Sequence, residues 1–283
     1  MPPKNGSQNP KPNARRVFAQ ELQKLRAESG WSLAELGERS MLDRTHLNRL
    51  ERGERLGERR NAEILDEVYG AGRHLQNLWD LAREQAYLDR YVRYMRLAED
   101  ARIMWHYSVS TVPGLLQTEE YAREQLGTAQ PRDEERLAEQ VSLRLARQAR
   151  LVGDEPLHLR AILDESALRR ELRDPAAWAR QLEHLVTTAE RDNVTVQVLP
   201  FAAGLHYLLG GCLTILSMPD GRPVAYLEGS TSGDLIEDTT EVDQLRLAYD
   251  QLRDVALSPR DSLEFIRSLM EKDSRTCEPP DPT

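Results

Sequence analysis

Cysteine is almost missing from this sequence: among 283 residues only Cys212 and Cys277 occur, far apart, the second in a Pro-rich end. That scarcity excludes a disulfide framework and a CxxC metal site, and it suits a reducing compartment. Long apolar runs are missing too. The longest, Tyr207 to Leu216, is broken by Gly210 and Gly211 and falls far short of the ~18 residues that span a bilayer. The opening segment, MPPKNGSQNPKPNARR, has no apolar signal-peptide core, so secretion is disfavoured and a cytoplasmic protein without a membrane partner is expected. Signature motifs of catalysis are absent as well: there is no HExxH, no nucleophile elbow, no P-loop and no Gly-rich phosphate fingerprint. No metal, no cofactor and no catalytic residue are expected on that ground. Positive charge is also short overall, 38 Lys and Arg against 47 Asp and Glu for a net of -9, a balance that speaks against a polyanion as partner.

Where the charges sit reverses that last exclusion. Residues 1–60 hold 13 basic against 8 acidic side chains, net +5, and the remainder holds 25 against 39, net -14. A basic head on an acidic body is the asymmetry of a chain in which one domain meets a polyanion and the other does not. The length fits two domains, and the segments 1–13 and 271–283, rich in Pro and polar residues, are expected to be disordered.

The head reads as a run of helices. From Asn13 as N-cap, Val17, Phe18, Leu22 and Leu25 recur at helical spacing until Ser29-Gly30. Ser32 and Glu35 form a capping box that starts a short helix to about Arg39, with Leu33 and Leu36 inward. Asp43 caps a third helix whose Leu47 and Leu50 face the core until Gly53, and a fourth runs from Asn61 to Tyr69 and stops at Gly70. Past Gly72 a long helical region is expected to about His106, its Tyr87, Tyr91, Tyr94, Met95 and Trp105 read as core rather than as an effector wall.

Farther along, a helix from about Asp133 to Leu151 carries Arg144, Arg147 and Arg150, read as a solvated face paired with Glu134, Glu135 and Glu139. Pro113-Gly114 reads as a turn into the next helix. Leu157 to Leu163 and Val194 to Leu199 read as strands flanking a helix at about 176–191, a βαβ unit; Cys212 to Met218 and Pro223 to Leu227 form a hairpin. Two helices split near Ser258-Pro259 close the chain. The expected class is α+β: a five-helix N-terminal bundle at 14–80, then a mostly helical domain at 81–270 with a small mixed β-sheet.

Two short helices joined by a tight turn have the spacing of a helix-turn-helix, in which the second helix enters the DNA major groove. With Leu47 and Leu50 in the core, Arg44, Thr45, His46, Asn48 and Arg49 face outward. Arg pairs bidentately with guanine, Asn with adenine, and a Thr methyl meets that of thymine. Ser32 at a helix N-terminus, with Arg39, Arg52 and Arg55 nearby, supplies candidate phosphate contacts. The plainer alternative is an αα-hairpin in an ordinary bundle.

The full string, Leu25-Arg26, Gly30-Trp-Ser32-Leu-Ala-Glu-Leu36 and Asp43-Arg44-Thr-His-Leu47-Asn48-Arg-Leu50-Glu51-Arg52-Gly53, closely resembles the XRE (Cro/CI-like) helix-turn-helix family. The resemblance implies a five-helix DNA-binding domain, usually dimeric, and an internal ion pair between Arg26 and Glu51. Two positions depart from the pattern: Met41 stands where the turn usually has Gly, and Gly37 where helix two usually has Ala. The rest of the chain, through Trp105, Val112-Pro-Gly-Leu-Leu-Gln-Thr118, Tyr121, Arg144-Leu-Ala-Arg-Gln148, Gln181-Leu182, Asn193 to Phe201, His206 and Tyr226-Leu-Glu228, resembles the large C-terminal domain of actinobacterial WhiJ-like regulators, also called Scr-family antitoxin-like. That second resemblance implies a sensing or partner-binding module, with Trp105, Gln117, Tyr121, His206 and Glu228 as a candidate effector or partner pocket.

The expectation is a homodimeric, nucleoid-associated transcriptional regulator, a repressor on a double-stranded DNA operator, whose C-terminal domain answers to a small-molecule effector or a small protein encoded nearby. Two alternatives stay open. One is an antitoxin-like protein that sequesters that small protein and autoregulates. The other is an enzyme fused to a DNA-binding head, for which Asp164, Glu165, His206 and Glu228 would be the acid-base or metal set; Asp164-Glu165 reads better as an N-cap with a first-turn acid.

Overall fold

The computed structural model describes residues 13–128, 133–229 and 232–276. The disorder expected of the ends falls partly on 1–12 and 277–283, outside those residues; Asn13 caps the first helix and the last helix runs on to Thr276. The chain divides into two compact units, Met1–Arg90 and Tyr91–Thr283.

The N-terminal unit is built of α1 (Ala14–Glu28), α2 (Leu33–Ser40), α3 (Arg44–Glu51), α4 (Arg59–Tyr69) and the start of the long α5 (His74–Asp100). Short polar side chains set the starts, as the sequence leads one to expect: Asn13 accepts from the Arg16 N–H, Ser32 and Glu35 form the reciprocal box, and Asp43 accepts from the His46 N–H. A further cap has no sequence signal, because it comes from another helix. The buried Asp66 of α4 accepts the Leu75 and Gln76 N–H groups at 2.8 and 3.0 Å and so satisfies the open donors at the start of α5. Phe18, Leu22, Leu36, Leu47, Leu50, Ala62, Leu65, Leu75 and Trp79 form one core from all five helices.

The C-terminal unit centres on a six-stranded mixed sheet, confirming the α+β class with more strand than expected. Its strands are β1 (Ile103–Ser108), β2 (His158–Asp164), β3 (Val194–Leu199), β4 (Cys212–Ser217), β5 (Pro223–Glu228) and β6 (Gly233–Ile236), in the order β3-β2-β1-β4-β5-β6. The βαβ unit is β2 and β3, parallel, with α8 (Glu165–Arg169) and α9 (Pro175–Ala189) between them, and β4–β5 is the antiparallel hairpin. The expectation that residues up to His106 continue the helix is overturned: α5 ends at Asp100, and β1 lies mid-sheet, parallel to β2 and antiparallel to β4. No periodic signal marks β1, because both of its faces are covered and one carries His106 and Ser108 among apolar neighbours. β6 was likewise unread.

Alternation along the strands sorts the side chains into two layers. One face, with Met104, Leu159, Ala161, Val196, Leu216 and Val224, packs against α9, α6 (Glu119–Gly127) and α11 (Pro259–Thr276) through Trp178, Leu182, Tyr121 and Ile266. The other, with Tyr107, Ile162, Leu213 and Ile215, packs against α10 (Thr239–Val255) through Val242, Leu245, Tyr249 and Leu252.

Polar side chains fix the connections on the first face. Gln181 on α9 is fully buried; its Oε1 accepts the Thr118 N–H and its Nε2 donates to the Leu116 carbonyl, clamping the turn that follows Pro113-Gly114. Tyr121 Oη accepts the Val112 N–H, and Gln117 donates to the Val112 carbonyl. The arginines of α7 (Glu134–Ala146) and the turn after it do not form the expected solvated face. Arg144 Nη1 donates to Gln117 Oε1 and Gln125 Oε1 at 3.1 and 2.8 Å, Arg147 reaches the Tyr91 hydroxyl and Arg150 the Ala101 carbonyl, while Glu134 pairs with Arg123. A covered sheet face carrying polar side chains and loop carbonyls needs donors, and long arginine stems supply them.

One row on this face is polar: His106, Thr214 and Tyr226 stand side by side in register. Tyr94 of α5 stacks on Tyr226 with centroids 4.2 Å apart and donates to Thr214 Oγ1, which also meets His106 Nδ1 at 2.9 Å. Tyr94 thus packs as core, in keeping with the plain reading of the tyrosine stripe. Burial pushes the His106 pKa down to about 4. An unfolded imidazole titrates near ~6.5, so on acidification the unfolded chain takes up this proton first. The stability contributed by neutral His106 is present above about pH 6.5 and is lost as the pH falls towards 4. His106→Asn is therefore expected to lose less of its urea midpoint than the wild type between pH 7 and 4.5. Equal losses in the two proteins would contradict this.

Candidate nucleic-acid interface

The interface is built on α3. At the end of α2, Met41 adopts φ 57° and ψ 25°, the left-handed geometry in which Gly is usual, with its side chain 89% exposed. Gly37 complements that turn: a Cβ there would stand 3.1 Å from the Leu42 carbonyl oxygen. The two departures from the family pattern are therefore parts of one turn, with space left at Gly37 for the carbonyl that follows Met41.

With Leu47 and Leu50 in the core, α3 presents Arg44, Thr45 and Arg49 exposed and Asn48 half-buried. Among the described residues none of these four side chains has a hydrogen bond or ion pair, so their groups are open to a ligand. A helix of 8 residues is about 12 Å long at ~1.5 Å per residue, close to the width of the major groove.

His46 is placed differently from the other candidate readers. It is half-buried, and its Nε2 lies 2.7 Å from Asn61 Nδ2 on α4. An amide nitrogen donates only, so the imidazole accepts there and carries its proton on Nδ1. Gly57 makes room for the pair: at φ +69°, a Cβ on it would meet Asn61 Nδ2 at 2.8 Å and Leu50 Cδ2 at 2.9 Å. His46 thus ties α3 to α4. The sequence marks Asn61 only as the expected start of α4, which begins two residues earlier at Arg59, and does not mark Gly57 at all, since neither lies in the helix-turn-helix string.

The candidate phosphate contacts also separate. Arg55 is exposed and has no ion pair among the described residues; Arg52 pairs with Glu54 at 3.0 Å, and the Arg39 guanidinium stacks 4.3 Å above the Trp31 ring, which stacks in turn on Tyr69. The Ser32 oxygen accepts the Glu35 N–H while Glu35 takes the Ser32 N–H, a bond that holds the Glu35 carboxyl below its usual range. An anion at this helix start would meet the Ser32 hydroxyl hydrogen but also the Glu35 charge.

Behind α3 lies the pair implied by the family resemblance. Arg26 at the end of α1 donates through Nε to Glu51 Oε1 at 2.7 Å and through Nη2 to Oε2 at 2.8 Å, and its Nη1 reaches the Trp31 carbonyl. The Glu51 side chain is 6% exposed and that of Arg26 25%. Burial, with the Glu51 charge adding to it, pushes the nearby Tyr69 hydroxyl up to about 12. The fork fixes the C-terminal end of α3 onto α1 in two directions at once. Arg26→Ala strands a carboxylate away from water, whereas Glu51→Gln strands a guanidinium that water still reaches. We expect losses of about 3 and about 2 kcal/mol respectively in urea unfolding of the N-terminal unit; a reversed order or no loss would contradict this geometry.

The five residues considered as a C-terminal pocket do not converge. Gln117 and Tyr121 spend their polar groups on the loop at Val112, and Glu228 lies on the same face of the sheet, where burial raises its pKa and the Arg144 charge lowers it. Trp105 and His206 belong to the opposite face: His206 Nε2 meets the Tyr107 hydroxyl at 3.3 Å, and the Arg246 guanidinium lies 4.2 Å above the Trp105 ring. Asp164 caps α8, and Glu165 accepts the Phe201 N–H and pairs with Arg169. Among the described residues no three His, Cys, Asp or Glu side chains are grouped to hold a metal ion, and no helix is long and apolar enough to cross a membrane.

A family model described as Helix-turn-helix domain matches residues 17–79, the helices just described, and one described as Domain of unknown function (DUF5753) matches residues 91–268. No curated protein and no solved structure matches the chain.

Proposed function

For a chain that belongs to the DUF5753 family through residues 91–268 and carries a helix-turn-helix DNA-binding domain at 17–79, we propose the role of a homodimeric transcriptional repressor. In this reading α3 lies in the major groove of a pseudo-palindromic operator, and the C-terminal unit changes operator affinity when it meets an effector or a small partner protein. The observation that carries it is the set of four readers without partners among the described residues, Arg44, Thr45, Asn48 and Arg49, on a helix held from behind by the Arg26–Glu51 fork. One such helix covers only a few base pairs, and a two-fold copy supplies the second half-site. The reading includes no catalytic step, since Asp164 and Glu165 are occupied as a cap and as a loop anchor.

The form with a protein partner, antitoxin-like in its extreme, is favoured by the loop after β3. There Leu205 is 94% and Tyr207 80% exposed, with Phe201 and Leu209 also open, and exposed apolar side chains concentrated in one loop suit a protein surface better than bulk water.

Sequencing the DNA fragments retained by the full chain identifies the operator, and titrations on it test the assignment. Arg44→Ala and Asn48→Ala are each expected to cost about 1–3 kcal/mol of operator affinity and to relax discrimination at one base pair. Arg55→Ala should instead weaken binding to all sequences alike and reduce the salt slope by about one. Unchanged operator affinity in both Arg44→Ala and Asn48→Ala would remove α3 as the reading helix.

A further inference from the structure

On the α10 side of the sheet, β1 and β2 assemble a group of residues that DNA binding does not use. Their parallel register sets Ile103 beside His158 and Trp105 beside Arg160, and alternation turns all four side chains to the same face. A cavity of about 430 Å³ lies there, lined by Ile103, Trp105, His158, Arg160 and Arg253. Tyr249 pins α10 over this place, its hydroxyl donating to the Arg160 carbonyl at 2.9 Å. Arg246 and Arg253 stand one turn to either side of Tyr249 on the same helix.

Charge distinguishes this cavity from the rest of the acidic body. Arg160, Arg253 and His158 line it, and Arg246 lies over the Trp105 ring beside it; among the described residues the one carboxylate paired with any of these is Asp250, 3.1 Å from Arg253. Arg160 and Arg246 have no ion pair among the described residues. Uncompensated guanidiniums raise the local affinity for anions, and their planar forks match a carboxylate or phosphate. The floor is apolar and aromatic, and the volume is that of a small-molecule site.

We propose that this cavity binds a small planar aromatic anion, its ring against Ile103 and the part of Trp105 that lines the cavity beside Arg246, and its acid group between Arg160 and Arg253. The chemistry is shared by aromatic carboxylates and nucleoside monophosphates. Its role as the effector site rests on the reading of the C-terminal unit as a sensor; binding itself does not, and the two are measured apart.

The test is calorimetric titration of the full chain with 2-naphthoate and with AMP, each beside its neutral counterpart, 2-naphthamide and adenosine. At least one anion is expected to bind, its neutral counterpart to bind far more weakly, and Arg160→Gln and Arg253→Gln each to weaken binding by about tenfold, as the loss of one charged hydrogen bond implies. Both variants change exposed side chains and leave the Tyr249 contact, made to backbone, in place. Binding of 2-naphthoate alone assigns a carboxylate ligand and of AMP alone a nucleotide. No binding of either anion, or equal binding to wild type and both variants, overturns the site. Operator affinity with and without the bound anion then tests the effector role, and its failure leaves the site standing.

Discussion

Everything α3 does depends on a guanidinium and a carboxylate held largely out of water behind it. Arg26 and Glu51 lie on different helices, 25 residues apart in sequence, and meet in two parallel hydrogen bonds. Such a pair adds little net stability over an apolar substitute, because both charges lose their hydration. What it adds is direction. It fixes the position and the rotation of α3, so that Leu47 and Leu50 stay in the core while Arg44, Asn48 and Arg49 stay out. His46 and Asn61 hold α3 to α4 in a similar way. The side chains of Arg44, Thr45, Asn48 and Arg49 on the outer surface of α3 are thereby left without partners among the described residues, which is the state a groove-reading helix requires.

The C-terminal unit uses polar side chains to the same end. Gln117, Tyr121, Gln181 and Asn193 are prominent in the sequence resemblance, and each has a fastening role: Gln117 and Tyr121 hold the loop at Val112, Gln181 the turn at Leu116, and Asn193 the carbonyls of Leu151 and Leu157. The proposed small-molecule site lies instead on the other face of the sheet, where Trp105 stands beside Arg160 and Arg246, neither of which has an ion pair among the described residues.

The N-terminal unit was legible because its signals are local. A cap, an apolar spacing of three and four, and a stop each lie within a few residues, and α1 to α3 begin where Asn13, Ser32 and Asp43 place them. What was not legible depends on distant partners. β1 gains its state from β2 and β4 on either side, and its mixed side chains give no period. The arginines of α7 resemble a solvated face until Gln117, Gln125 and the Ala101 carbonyl are brought under them. His46 sits on the outward arc of α3 by spacing, and only the approach of Asn61 past Gly57 turns it to a structural use. The charge asymmetry between head and body was readable from the start, but the basic cavity within the acidic body was not, since His158, Arg160 and Arg253 are spread over two elements far apart in sequence.

The central claim is that α3 enters the major groove in two copies. Guanine N7 lies in that groove, so methylation interference on the retained operator reports on the contact directly. The account predicts two clusters of interfering guanines, centred about 10 base pairs or a multiple of a turn apart and related by two-fold symmetry. A single cluster, or binding indifferent to N7 methylation, would contradict it.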